Sequence, residues 1–340
     1  MGLSLNVLVA SVLGLGLLVQ PAPARTVDTA GAVSALLDEA EALPPLEAVL
    51  IAHRGTLIAE RGYRGHSPTA PTAIMSASKS VMSALVGIAI DRGVLEGTDQ
   101  RIAPLLATDL PANPDPRLRE ITVGHLLSMQ AGLGATSGAQ YGAWVNSPNW
   151  VRSALARPFE GEPGGRMIYS TGSTHLLSAI LARQTGRSTL ELARDWLGPL
   201  EGFRIASWAR DPQGIHVGGN LMSMSPRSLL AFGELYRTDG IAPDGTRILP
   251  EGWVAASFAP RTRSPWSGEL YGYGWFRRET AGVTVHYGWG YGGQMIYVVP
   301  ELELTVAMTS DDGAPSVTGH REALHDLLAG IIRVVAAAQS

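Results

Sequence analysis

The stretch that decides the fold is AIMSASKS, residues 73–80, which runs into a long apolar segment. An apolar stripe at helical spacing predicts a helix from Ser76 to Gly93. Ser76 and Lys79 are three positions apart, so both side chains fall on one face of the first turn. Because the residues on either side are apolar, we expect this turn to be buried.

Ser76 and Lys79 have the chemistry of a nucleophile and its base. A serine hydroxyl attacks poorly until a base removes its proton, and lysine serves only when burial or positive potential lowers its pKa. A helix starting at Ser76 would point free N–H groups at the pair. Lys79 is the only lysine among 26 lysine and arginine residues, and arginine does not give up its proton. A surface lysine near a helix start is the alternative that the spacing alone leaves open.

Strand patterns occur at both ends of the chain, and helical patterns lie between them. The predicted strands are Leu46–His53, Thr56–Tyr63, Tyr271–Arg278, Val283–Tyr287, Gln294–Val299 and Leu302–Ser310. The predicted helices, besides that at Ser76, are Val27–Leu43, Thr122–Met129, Gly172–Thr185, Ser188–Leu197, Pro226–Tyr236 and Gly319–Val335. This order indicates an α+β fold, with one antiparallel sheet flanked by helices and a mainly helical domain inserted in it.

The predicted catalytic domain covers residues 25–340. Its α/β lobe takes residues 25–97 and 240–340, and its helical lobe takes residues 98–239. The junction of two such lobes forms a natural cleft.

An apolar run at residues 3–19, followed by Ala22-Pro23-Ala24, predicts a signal peptide over residues 1–24. The expected location is therefore periplasmic or secreted. No Lys or Arg precedes the run, so a retained anchor or a misassigned start codon remains the alternative. No other stretch is long and apolar enough to predict a membrane span after signal cleavage.

Composition excludes several classes of function. The 340 residues include no cysteine, which removes disulfides, thiol nucleophiles and cysteine metal sites. Eight scattered histidines without an H-E-x-x-H pattern predict no metal, and no cofactor is predicted. The glycine cluster at 288–293 is followed by a strand pattern and not by a helix, so it is not a dinucleotide loop. A net charge of −4 argues against a nucleic-acid partner.

Four segments, in this order, resemble the serine β-lactamase, D-alanyl-D-alanine carboxypeptidase and esterase superfamily. They are closest to its class C-like branch, which includes 6-aminohexanoate-dimer hydrolase-like proteins. The segments are MSASKS at 75–80, ITVGHLLSMQAGL at 121–133, PG at 163–164 with IYST at 168–171 and HLL at 175–177, and HYGWGYGGQ at 286–294. The first is similar to the S-x-x-K motif.

The resemblance implies a role for each matching residue. Ser76 would be the nucleophile, Lys79 its base, and Tyr169 a proton relay to the leaving group if the lysine lowers its pKa. An N–H of the third-motif strand would complete an oxyanion hole with that of Ser76. Two registers of that strand stay open, one with His286 and Gly288 and the other with Trp289 and Gly290.

Two positions depart from the family pattern. Thr171 stands where the tyrosine motif normally has asparagine, so one hydrogen-bond donor and some reach are lost. His286 stands where a lysine helps to hold a substrate carboxylate, and neutral histidine holds it less well. Both changes favour an esterase or amidase over an efficient β-lactamase.

Other candidates have structural alternatives. Asn220, in a glycine-rich turn, either lines the cleft or merely adopts unusual dihedral angles. Tyr141, Trp144 and Trp150 form either an aromatic wall for an acyl group or the core of the helical lobe. Trp289 and Tyr291 are candidates for the opposite wall, and His125 is predicted to be structural.

We therefore predict a serine hydrolase that cleaves a small-molecule ester, amide or peptide-like substrate through a Ser76 acyl-enzyme. The first alternative is a β-lactamase or D,D-peptidase. The second is a non-catalytic acyl-binding sensor, which would be acylated without turnover.

Overall fold

The computed structural model describes residues 1–3, 28–313 and 318–339. The strands are β1 (Leu46–His53), β2 (Thr56–Gly62), β3 (Thr72–Ala73), β4 (Ile205–Trp208), β5 (Met222–Met224), β6 (Thr262–Arg263), β7 (Leu270–Tyr271), β8 (Phe276–Thr280), β9 (Val283–Gly290), β10 (Gln294–Val299) and β11 (Leu304–Ser310). The helices are α1 (Thr29–Glu39), α2 (Ser78–Asp91), α3 (Ile102–Leu105), α4 (Val123–Leu127), α5 (Tyr141–Val145), α6 (Trp150–Leu155), α7 (Thr171–Thr185), α8 (Thr189–Trp196), α9 (Pro226–Arg237), α10 (Trp253–Phe258) and α11 (His320–Ala337).

Eight strands form one antiparallel sheet in the order β2-β1-β11-β10-β9-β8-β7-β6. The first two strands of the chain and the last six build it, and the two groups join where β1 pairs with β11. This confirms the predicted α+β class with its antiparallel sheet. A second sheet of three short strands, β3-β5-β4, was not among the predicted elements.

Strands β1, β10 and β11 of the large sheet are buried on both faces. Along β1, Leu50 and Ala52 belong to the core shared with α2, whereas Val49 and Ile51 belong to the core shared with α1 and α11. This alternation follows from the two-residue period of a strand. Burying one such Leu or Ile side chain contributes about 1.5–3 kcal/mol, so the two apolar faces hold the layers together.

Helix α2 lies in the middle of the molecule. All of its residues from Ser78 to Ala89 are buried, and it contacts α7 and α8 as well as β9. A surface helix buries only one apolar stripe, whereas a helix that is buried on all sides is a central core element. The position of α2 brings its first turn beside the end of β9.

Two predicted boundaries are wrong in instructive ways. The α-helix begins at Ser78 and not at Ser76, because Met75–Ala77 form a 3-10 turn before it. The predicted strand 271–278 is two strands, β7 and β8, joined by a turn in which Gly274 has a φ of 82°. The carbonyl of Gly274 accepts a hydrogen bond of 2.7 Å from Ser80 Oγ, which ties this turn to α2.

The predicted lobe boundaries at residues 97/98 and 239/240 remain a prediction. Helix α9 falls within the predicted helical lobe, yet it packs on β10, β11 and β1 of the large sheet. The predicted signal peptide lies, apart from its first three residues, outside the described residues. In the ranges that are described, no helix combines the length and apolar character needed to cross a bilayer.

Candidate active site

Ser76 lies in the 3-10 turn that leads into α2. Met75, directly before it, has a left-handed backbone with a φ of 45°. This conformation is uncommon for a residue with a side chain and persists where the surroundings hold it. Ser76 lines a cavity, whereas Ser78 and Ser80 on the following turn are fully buried. Ser76 is therefore the hydroxyl of this segment that a substrate can reach.

Lys79 is buried next to Ser76. Its Nζ lies 3.0 Å from Ser76 Oγ, 2.6 Å from the carbonyl oxygen of Gly219 and 3.3 Å from Thr171 Oγ1. The residue is 1% exposed, and this burial lowers the pKa of Lys79 to about 7. Near neutral pH a large fraction of the amine is therefore uncharged and able to accept a proton.

Tyr169 completes the cluster around the serine. Its hydroxyl is within hydrogen-bonding range of Ser76, and Lys79 Nζ lies 5.0 Å from the centre of its ring. Burial raises the pKa of Tyr169 well above its usual value, and the contact with Ser76 offsets this only in part. The condition attached to this residue, that the lysine lowers its pKa, is not met, because desolvation of the phenolate dominates. Tyr169 therefore stays a neutral hydroxyl near physiological pH.

Thr171 begins α7 and faces the same cluster. Its Oγ1 lies 3.0 Å from Ser137 Oγ, which also accepts a hydrogen bond of 2.8 Å from the Thr171 amide. Ser137 and Thr171 both line the cavity. The threonine hydroxyl is thus shared between Lys79 and Ser137, and Ser137 is a site residue that the motifs did not reveal.

The Gly219 carbonyl that binds Lys79 belongs to a tightly packed turn. A Cβ at Gly219, whose φ is 78°, would lie 2.6 Å from Lys79 Cγ. The neighbouring Gly218 amide donates to Nδ1 of buried His175 over 3.4 Å. His175 Nε2 lies 3.0 Å from Asp211 Oδ2, and both side chains are fully buried. This pair holds the turn that supplies the third partner of Lys79.

Asn220 is the next residue of this turn. It lines the cavity, which is the first of the two alternatives stated for it above. Its Nδ2 donates to the Tyr141 hydroxyl over 3.0 Å, and Tyr141 lines the cavity as well. Trp144 and Trp150 do not line the cavity and pack with Val217 in a small separate core. Of the three predicted wall aromatics, Tyr141 alone is placed at the cavity.

The end of β9 passes directly beside the serine. Strand β8 pairs with β9 only as far as Tyr287. On the side that faces β8, the backbone of Gly288–Gly290 therefore has no partner strand. A Cβ at Gly290 would lie 2.3 Å from the Ile74 carbonyl oxygen, and one at Gly288 would lie 2.7 Å from Ser80 Oγ. These two glycines allow the strand to approach the nucleophile turn closely. Trp289 between them lines the cavity.

His286 is placed elsewhere. Its ring stacks on Phe258 with centroids 3.8 Å apart, and it does not line the cavity. Burial lowers the pKa of His286 to about 4, so the ring is neutral at physiological pH. Of the two registers left open, the geometry favours Trp289-Gly290 as the segment beside the serine. We therefore leave His286 out of the proposed site.

The cavity has a volume of about 620 Å³, within the usual range for small-molecule sites. The sheet side contributes Trp266, Trp289 and Tyr291, and the opposite side contributes Tyr141, Asn220 and Leu221. The remaining lining residues are Met75, Ser76, Ser137, Gly138, Tyr169 and Thr171. Among the described residues, no group of three or more His, Asp or Glu side chains is arranged to hold a metal ion.

His125 has a structural position, as expected. Its amide donates to Thr122 Oγ1 over 3.1 Å, and its Nδ1 accepts from the Thr122 amide over 3.3 Å. The two residues thereby cap the N-terminus of α4.

A serine, a buried lysine and a tyrosine at the junction of a sheet and a helical region define the class of site found in S-x-x-K proteins. The profile of the family described as Beta-lactamase matches residues 45–330, and the chain belongs to this family. The resemblance stated from the motifs, and the β-lactamase-like fold it implied, are thus confirmed.

Two of the similar proteins are named as hydrolases. The chain is 24% identical over 318 residues to 6-aminohexanoate-dimer hydrolase from Paenarthrobacter ureafaciens, covering 84% of this chain and 76% of that protein. The fold resembles that of EstCE1, a hydrolase with promiscuous acyltransferase activity, with a TM-score of 0.71, 18% identity and coverage of 90% and 98%. It also resembles the octameric penicillin-binding protein homologue from Pyrococcus abyssi, with a TM-score of 0.67, 21% identity and coverage of 88% and 77%.

Proposed function

We propose that this protein hydrolyses esters or amides of small molecules through an acyl-enzyme on Ser76. The observation that carries the proposal is the 3.0 Å contact between Ser76 Oγ and the amine of Lys79, whose pKa is lowered to about 7. A neutral amine at hydrogen-bonding distance is what activation of a serine hydroxyl requires. Membership of a family with named hydrolases supports the same reaction class.

In the first half-reaction, Ser76 Oγ attacks the carbonyl carbon while Lys79 Nζ takes the hydroxyl proton. The oxyanion would bind the Ser76 amide and an N–H of Gly288–Gly290, on the side of β9 that extends beyond β8. The C–O or C–N bond to the leaving group then breaks, and the leaving group takes a proton from Lys79 through the Tyr169 hydroxyl. Water repeats these steps in the second half-reaction, which releases the acid and restores Ser76.

The pH dependence of acylation follows from Lys79. Because its pKa is lowered to about 7, the amine is protonated below that pH and cannot act as a base. We expect kcat/KM for a neutral ester to fall about tenfold per pH unit below pH 7 and to level off above it. Steady-state rates between pH 5 and 9 measure this. A profile that stays flat through pH 7 would rule out Lys79 as the base.

Tyr169→Phe is expected to lower kcat/KM about 100-fold, because the neutral hydroxyl that passes a proton to the leaving group is lost. Tyr271→Phe is the matched control. Tyr271 is also buried, its ring lies 6.4 Å from that of Tyr169, and its hydroxyl has no hydrogen-bond partner among the described residues. We expect this control to keep full activity. Equal losses in the two variants would show that packing, and not proton transfer, is affected.

A substrate panel tests the proposal against its alternatives. Short-chain p-nitrophenyl esters, matched anilides and a chromogenic cephalosporin would be compared on the same enzyme preparation. We expect turnover of esters or amides and little turnover of the cephalosporin. Preferred turnover of the cephalosporin would establish the β-lactamase alternative. Acylation by every class without turnover would establish the sensor alternative.

A further inference from the structure

Among the described residues, the walls of the cavity beside Ser76 carry no formal charge. None of its lining residues is an Asp, Glu, Lys, Arg or His in the part of the chain that the structure describes. Lys79 lies behind the serine, and its three hydrogen bonds and lowered pKa suit it to proton transfer. The Arg321 guanidinium stacks on Trp289 at 5.1 Å, but it pairs with Glu322 at 2.9 Å and does not line the cavity.

Aromatic side chains dominate the same walls. Five of them line the cavity: Tyr141, Tyr169, Trp266, Trp289 and Tyr291. The rim is exposed as well as apolar, since Leu221 is 37% exposed and Trp266 and Tyr291 are each 48% exposed. From residue 28 onward, only two other large apolar side chains in the described ranges are as exposed, Leu57 and Ile58 on β2. Exposed apolar surface is therefore concentrated at the mouth of this cavity, as at a ligand site.

We propose that this cavity selects uncharged esters or amides whose acyl part carries an aryl or similarly large apolar group. The inference rests on the proposed hydrolase function and adds the substrate class. A flat apolar group would lie against Trp266, Trp289 and Tyr291 and gain by leaving water. A carboxylate or ammonium group in the same place would lose its hydration without an ion-pair partner. The site thus discriminates by the charge of the substrate and by the size of its apolar part.

Four p-nitrophenyl esters test the proposal, because they share a leaving group and differ in the acyl part. They are the 4-phenylbutanoate, the glutarate monoester, the 6-aminohexanoate and the acetate. We expect kcat/KM for the phenylbutanoate to exceed that for each charged ester at least 100-fold. Comparable values for all four would overturn the inference and leave the hydrolase function standing. Preference for the aminohexanoate would also overturn it and would indicate cation–π recognition. If none of the four esters and none of the matched anilides is hydrolysed, the proposed function itself is refuted.

A variant at the rim tests which residues select the apolar group. Trp266→Ala is expected to lower kcat/KM for the phenylbutanoate about tenfold relative to acetate. The Trp266 ring also packs edge-on against Tyr169, with centroids 5.5 Å apart, so a disturbance of Tyr169 would lower kcat/KM for both esters. The ratio of the two kcat/KM values is therefore the readout. Leu57→Ala is the control, since Leu57 is 45% exposed on β2 and lies outside the cavity. Equal losses for both esters in Trp266→Ala would contradict the proposed role of this wall.

Leu221→Arg provides a test in the opposite direction. Placing a cation on the uncharged rim should raise kcat/KM for the glutarate ester at least fivefold relative to the phenylbutanoate. An unchanged ratio would show that charge at the cavity does not govern selection. The circular dichroism spectrum of the variant, compared with that of the parent protein, establishes that both are folded.

Discussion

Ser76→Ala is expected to lower kcat/KM for a p-nitrophenyl ester about 10⁵-fold, to little above the rate of spontaneous hydrolysis. The size of the effect follows from the role of the group, because no acyl-enzyme forms without the nucleophile. Removing the nucleophile of a serine hydrolase costs about 10⁶-fold in kcat in the best-studied case. The fold should be unaffected, since Ser76 lies at the cavity and the apolar core does not depend on it.

Ser78→Ala is the matched control in the same segment. Ser78 is fully buried, and its hydroxyl donates to the Met75 carbonyl over 2.6 Å, so it is bound to the nucleophile turn without facing the cavity. We expect this variant to lose less than tenfold in kcat/KM. Retained activity in Ser76→Ala, measured with a mass-verified preparation, would refute the assignment of the nucleophile.

Lys79→Met is expected to lower kcat/KM about 10³-fold or more, because the only base in contact with Ser76 Oγ among the described side chains is removed. The fall in kcat/KM below pH 7, which we call the acid limb of the pH profile, should disappear with it. Rescue provides the sharper test, since the chain contains no cysteine. Lys79→Cys, alkylated with 2-bromoethylamine in the unfolded chain and refolded, restores an amine of lower basicity. We expect activity to return with its acid limb at lower pH. A limb that stays in place would contradict the assignment of the base.

Lys79→Met should also change the stability of the protein in a pH-dependent way. The pKa of Lys79 is lowered to about 7 in the folded state, whereas the unfolded chain has the ordinary value of 10.5. Between these values the unfolded state binds more protons, so the stability of the parent protein rises with pH. Relative to Lys79→Met, the parent should gain about 2 kcal/mol in the free energy of unfolding from pH 7 to pH 9. Urea titrations at both pH values measure this, and no relative change would show that Lys79 is not desolvated.

The parts of the site that local spacing determines could be predicted from the sequence. Ser76 and Lys79 are three positions apart near a helix start, and this spacing places both side chains on one face, where Nζ and Oγ lie 3.0 Å apart. Strands β1, β9, β10 and β11 can be predicted from the sequence because each has its own apolar pattern and is bounded by turn residues nearby in the chain. The confirmed family resemblance rests on these same segments.

The parts that depend on tertiary packing could not be predicted. The Gly219 carbonyl reaches Lys79 because a turn of unusual dihedrals is held there, and a backbone acceptor leaves no mark in the motifs. The register of the third motif was ambiguous because neighbouring strand residues face opposite ways, so His286 and Trp289 differ completely in surroundings. The raised pKa of Tyr169 could not be predicted either, because its burial is set by residues distant in the chain.

Covalent capture of the serine tests the central claim most directly. An alkyl fluorophosphonate transfers its phosphonyl group to an activated serine with loss of fluoride. Intact-mass measurement followed by peptide mapping should show one adduct per chain, on the peptide that contains Ser76. The adduct should be absent in Ser76→Ala and present in Ser78→Ala. Labelling of a different residue, or no labelling while ester hydrolysis continues, would contradict a Ser76 acyl-enzyme.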